Sequence, residues 1–372
     1  MRLAPAGCTT LTLTFASPLT SASRPASRTL RLTSALALLF AGFCLALPTS
    51  SQSSELLSER GVWRTAAPAP TKRTEVAVVA LRDKIYVVGG FEQPGLSNLM
   101  NLSITPLVEV YDPATDGWTT NAPMPVGLHH AGVAVAGGRL YVIGGYMQAG
   151  LNGWHPVATV YAYDPETDAW SERAPMPTPR GALSVAELGG KLYAIGGYDR
   201  TANSAAVEVY DPVRNSWAAL APLPTPRDHL AAASLSGKLY AIGGRLNGDY
   251  RRNVSVTEVY DPVSDRWSRA ADLPTARSGI TASELGGKIY VFGGEGGEGT
   301  FRENEAYDPT GDTWRTMLPL PTARHGLGSA VARGGIHVID GGPTPGGSFS
   351  TLNEVFIPPD AVSSTQENGT GD

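Results

Sequence analysis

Apolar and polar residues alternate in short runs from about residue 62 to residue 358, each run ending at Gly, Pro or Asp. Runs this short, bounded by turn residues, predict strands rather than helices. Four strand types recur in order. The first is small and mixed (VAVVAL from 76, LSVAEL from 183, LAAASL from 230). The second is β-branched and apolar, ending in Gly-Gly (KIYVVGG from 84, KLYAIGG from 191). The third ends in Tyr-Asp-Pro, and the fourth begins at a Trp. The Gly-Gly pairs fall at 89-90, 144-145, 196-197, 243-244, 293-294 and 341-342, and the tryptophans at 63, 118, 170, 217, 267 and 314. Both markers repeat at about 50 residues, the period of a solenoid or propeller unit.

Gly-Gly, Tyr-Asp-Pro and Trp recurring in this order resemble the kelch repeat. The resemblance covers residues 62–358 and implies an all-β fold, a kelch β-propeller. Small first strands suit the crowded centre of such a ring. The Gly-Gly pairs allow a bulge or close backbone approach, and each Asp-Pro opens a tight turn. The large Trp ring is expected to fill the gap between blades. The chain opens on a lone fourth-type strand, GVWRT at 61–65, and ends on the first three types. Six blades therefore result, with the N-terminal strand completing the C-terminal blade and leaving no unpaired edge there.

Charge and cysteine content narrow the setting. Arg24, Arg28 and Arg31 precede an uncharged apolar run at 34–47. This pattern predicts a secretory signal within residues 1–51, a linker over 52–61 and a polar tail over 359–372. Loss of residues 1–51 removes four arginines and no acid, taking the formal charge from -5 to -9. An acidic exported chain is a poor partner for nucleic acid or an anionic membrane. The two cysteines, Cys8 and Cys44, both lie in the leader. The mature chain then has no disulfide, and cysteine nucleophiles and thiolate ligands are excluded.

Candidate chemistry falls on one rim, shared by the loops before each first strand and after each Gly-Gly. Those post-Gly-Gly loops are long and dissimilar, as recognition loops on a fixed scaffold tend to be. Arg73, Arg180, Arg227, Arg277 and Arg324 hold the same position before the first strand, while the second repeat has Leu128 there, followed by His129 and His130. Guanidinium groups in a ring suit carboxylate ligands. Ligand docking on this rim by such arginines and by residues after Gly-Gly is what the kelch resemblance implies. Phe91, Tyr146, Tyr198 and Arg245 match by position, and His129 joins them through the departure at Leu128. Trp154, outside the repeat register, is a further stacking candidate. Glu109, Glu208, Glu258, Glu305 and Glu354 recur on the third strand and read as structural hydrogen-bonding groups.

The expected function is that of an exported, monomeric module binding a protein, peptide or glycan, acidic in character, on an Arg-lined rim. No cofactor and no metal is expected. Adjacent histidines on a strand point to opposite faces and do not chelate as a simple pair. Without cysteine the copper-radical chemistry of kelch-containing galactose oxidase is excluded. The alternative is a sugar mutarotase or isomerase for an acidic sugar, resembling kelch-type sialic-acid mutarotases, with Glu75, Glu295, Glu298 or Glu303 as acid-base groups.

Overall fold

The computed structural model describes residues 59–94, 103–150 and 153–360. The expected leader and most of the expected tail lie outside these residues. Among the described residues, six four-stranded antiparallel sheets follow one another. In the third, Ser184–Leu188, Lys191–Ile195, Val207–Asp211 and Ser216–Ala219 pair in sequence order. The sixth draws its strands from both ends: Val62–Thr65 lies antiparallel to Asn353–Ile357, with Trp63 opposite Phe356.

The core is divided into six clusters, each shared by neighbouring blades. One joins Tyr86 and Val110 of the first blade to Leu140 and Tyr163 of the second. Another joins Ala330 and Ile339 of the sixth to Val78 and Ile85 of the first, so the succession of blades is cyclic. The second strands are buried on both faces, which accounts for their unbroken apolar character.

The recurrent Trp bridges blades as well as filling the gap. Its indole N–H donates to a carbonyl at the end of the preceding blade, as Trp170 does to Ala122 and Trp217 to Ala174, each at 2.9 Å. The residue five after each tyrosine completes the joint. Asp168 accepts from the Tyr163 hydroxyl and from the Ala122 amide, and Asn215 accepts likewise from Tyr210 and Ala174. A half-buried aromatic ring and two hydrogen bonds between blades, the second braced by the tyrosine hydroxyl, thus fix such a blade to the one before it.

First strands line a central channel of about 450 Å³. Their small residues are a steric requirement. A Cβ on Gly132 would stand 2.2 Å from Val185 Cγ2, and one on Gly328 equally close to Val78. Gly132→Val is therefore expected to cost about 1–3 kcal/mol by overpacking, read as a lower urea midpoint at unchanged slope.

The sixth repeat departs from its sequence alignment by one residue. In the other blades both glycines of the pair have positive φ, as at Gly196 (62°) and Gly197 (107°). In the sixth the two positions are Asp340 (56°) and Gly341 (93°), not Gly341 and Gly342. Backbone bonds confirm the shift: Asp340 N donates to Leu352 O and Gly341 N to Arg73 O, as Gly196 N does to Ala206 O and Gly197 N to Arg227 O.

Candidate functional site

The arginines expected to line the rim are enclosed within the blades. Arg73, Arg180, Arg227, Arg277 and Arg324 are each 0% exposed. Each pairs with the third-strand glutamate of its own blade, Arg180 with Glu208 at 2.6 Å, Arg73 with Glu109 at 2.7 Å and Arg324 with Glu354 at 2.5 Å, while Arg227 pairs with Glu258 and Arg277 with Glu305. The second carboxylate oxygen accepts from a threonine two residues before the arginine, as from Thr178. Backbone carbonyls take further guanidinium N–H groups: Arg180 donates to Thr178, Ala194 and Gly196. A guanidinium so enclosed and partnered does not face a ligand, and the Arg-lined rim is corrected accordingly.

The second blade shows the same position solved without charge. Where the others have Thr, Arg and Glu, it has Val126, Leu128 and Tyr161, which pack into one apolar cluster. All three members change together. The physical reason is that a lone Glu or Arg left in this pocket would be a buried unpaired charge.

Two residues after each arginine position, the backbone closes a ring. Glu75, His130, Ala182, His229, Gly279 and Gly326 all have φ between 52° and 64°. Each amide donates to the carbonyl of its neighbour in the preceding blade: His130 N to Glu75 O, Ala182 N to His130 O, His229 N to Ala182 O, and so on until Glu75 N meets Gly326 O at 2.7 Å. This six-membered annulus frames the channel mouth. Three of its members carry polar side chains: Glu75, His130 and His229.

These three meet over a cavity of about 100 Å³. Glu75 Oε2 lies 3.2 Å from His130 Nε2, and Glu75 Oε1 lies 3.5 Å from His325 Nε2. Asp228 Oδ1 is 2.6 Å from His229 Nδ1. Arg245 is 8% exposed and ties the cluster together through Asp228 at 3.1 Å, Glu295 at 2.6 Å and His229 Nε2 at 2.7 Å. Burial pushes the Glu75 carboxyl up, but the imidazoles of His130, His325 and His229 outweigh it and hold the group below its ordinary value. Burial likewise opposes ionisation of Asp228, yet the His229 hydrogen bond and Arg245 bring it down to about 2. His130 is driven well below the usual histidine range, chiefly by burial and only partly offset by Glu75.

The remaining candidates divide by exposure. His129 is buried against Phe91 at a centroid distance of 4.0 Å and against Trp154 at 4.7 Å. Desolvation, with smaller contributions from His229 and Arg200, lowers it to about 3. Phe91 and Tyr146 are buried as well, and the Tyr146 hydroxyl donates to Tyr198 O at 2.8 Å. Of the expected ligand-binding residues, Phe91, Tyr146, His129 and Arg245 thus join the arginines as packing groups, while Trp154 and Tyr198 stay partly exposed. Glu75, His130, His229 and Asp228 lie outside the ligand-binding residues expected from the sequence. Their one visible signal was their place one or two residues after the arginine position, where the repeat otherwise has small or variable residues.

Fold and annulus define a propeller whose repeats meet at one polar mouth. The KLHDC2/KLHL20/DRC7 Kelch-repeats domain model matches residues 110–272 and 182–357, and the Kelch motif model matches residues 72–125. The chain belongs to the kelch-repeat family. It is 36% identical to Kelch-like protein 35 of Mus musculus over 140 residues, which is 38% of this chain and 22% of that protein. It is 32% identical to Kelch-like protein terF of Aspergillus terreus over 167 residues, which is 43% of this chain and 35% of that protein. The chain thus matches between about a fifth and a third of the length of these relatives. The solved structure of YjhT superimposes with a TM-score of 0.66 at 18% identity, covering 79% of this chain and 97% of that one, a likeness of fold alone. Nothing in these likenesses supports the sugar-mutarotase alternative.

Proposed function

We propose that this chain is an exported binding module that holds an acidic protein or peptide segment on the loop rim of its second, third and fourth blades. The observation that carries this reading is a half-exposed aromatic next to exposed cations. The Arg200 guanidinium lies 5.3 Å from the centroid of the Trp154 ring, and that of Arg251 lies 5.7 Å from the Tyr250 ring. Arg200, Arg251 and Arg252 are all exposed. Unlike the five buried arginines, they can reach a partner's carboxylates.

The loops bearing them brace one another. Asn247 N donates to Asn203 Oδ1 at 2.5 Å, Gly248 N to Asp228 Oδ2 at 3.0 Å and Asn253 Nδ2 to Glu295 O at 2.6 Å. A rim held this way loses little entropy on binding.

Random peptide display against the full chain tests the reading. Recovered peptides should be rich in Asp and Glu and bind at least tenfold more weakly to the R200E/R251E/R252E variant, about 1.4 kcal/mol. Recovery without acidic enrichment, or equal binding by the variant, overturns it.

A further inference from the structure

The cluster at the channel mouth has features that peptide binding on the outer loops does not require. Ligand-competent atoms of Glu75, His130 and His229 lie within 4.8 Å of one another, although the residues come from the first, second and fourth blades. Each stands on the hydrogen-bonded annulus, so three side chains are projected from a rigid frame toward one point.

Both histidines have an outer partner on Nδ1. His229 Nδ1 lies 2.6 Å from Asp228 Oδ1, and His130 Nδ1 lies 2.5 Å from His129 Nδ1. Asp228 can only accept, so His229 donates Nδ1–H outward and turns its Nε2 lone pair inward, and His129 can take the Nδ1–H of His130 in the same way, the orientation that metal-ligating histidines take from their outer hydrogen bonds. His130 Nε2 and Glu75 Oε2 lie 3.2 Å apart, near enough for one cation to take both as ligands.

The charge balance points the same way. Glu75, Asp228 and Glu295 bring three carboxylates into this enclosed region against the single guanidinium of Arg245. Glu295 is 4% exposed, and its Oε2 has no hydrogen-bond partner; His325 Nε2 lies 3.7 Å from it.

We propose that Glu75, His130 and His229 bind one first-row divalent cation of the zinc class at the channel mouth. Two imidazoles and one carboxylate on one side of the ion leave its other positions open toward the cavity, the facial arrangement such ions accept. Bond lengths of about 2.0–2.2 Å require the three side chains to draw together by small rotations. Arg245 is the competitor, since its Nη2 occupies the His229 Nε2 lone pair at 2.7 Å. Loading withdraws that N–H, while the bonds of Arg245 to Asp228 and Glu295 remain.

The test uses the tag-free chain, stripped with a chelator and titrated with zinc ion against a chromophoric competitor. One equivalent should bind. E75Q and H229Q should each weaken binding at least tenfold, whereas H155Q, at an exposed histidine away from the cluster, should not. X-ray absorption of the zinc-loaded wild-type chain should count two imidazoles, and it decides the matter if a variant fails to fold. Absence of one saturable equivalent, unchanged affinity in folded E75Q and H229Q, or a spectrum without two imidazoles overturns the proposal.

Discussion

Arg180→Leu is expected to destabilise the chain by about 3–5 kcal/mol, because it leaves the Glu208 carboxylate buried without its counter-ion. Urea unfolding monitored by tryptophan fluorescence reads this as a shifted midpoint at nearly constant slope. The second blade supplies the remedy. Its Val126, Leu128 and Tyr161 occupy the same three places with no charge at all. The triple change T178V/R180L/E208Y should therefore recover most of the loss, since a buried ion pair and an apolar packing of similar volume differ little in net stability. A single R180L variant as stable as the parent would show that the pair is not the closed unit its distances describe. A triple variant no better than the single would show that the apolar solution depends on features peculiar to the second blade.

Asp340 should make stability fall with rising pH. It stands at the left-handed position that glycine holds in the other five blades, fully buried, with neither carboxylate oxygen hydrogen-bonded. Burial raises its carboxyl to about 8; Arg73, whose Nε lies 3.6 Å away, pulls the other way without reversing it. The folded chain therefore binds a proton here between the ordinary carboxylate value and about 8, while the unfolded chain does not. More protons in the folded state mean stability that is fully present below about pH 4 and is lost as pH rises to about 8. The slope approaches roughly 1.4 kcal/mol per pH unit from this one group.

Asp340→Gly restores the residue the repeat prefers and removes the titrating group. It should flatten that slope between pH 5 and 8 relative to the parent and give the more stable chain at pH 8. Parallel stability profiles for the two proteins would rule the account out. The comparison is made between profiles so that other groups titrating in the window cancel.

The sequence alone determined the periodic part of this protein. Gly-Gly, Tyr-Asp-Pro and Trp each meet a local demand, for a left-handed bend, a tight turn or a wedge between sheets, and a demand repeated at fixed spacing is visible in one dimension. The repeat position of Trp217 marks it as an inter-blade residue, and it bonds to Ala174 of the preceding blade. The recurrent glutamates were likewise legible as structural groups, though not their partners.

What tertiary structure decided is which polar groups are consumed and which converge. Arg180 and Glu208 are 28 residues apart, and only the pairing of strands within the blade shows that they neutralise each other. The one-residue offset at Asp340 is invisible to a pattern that counts glycines, because backbone φ and not residue type marks the position. Glu75, His130 and His229 are separated by 55 and 99 positions and share no local signature. They meet because closing the ring brings equivalent positions of different repeats onto one annulus, so that a side chain varied in a single repeat becomes part of a site shared by several.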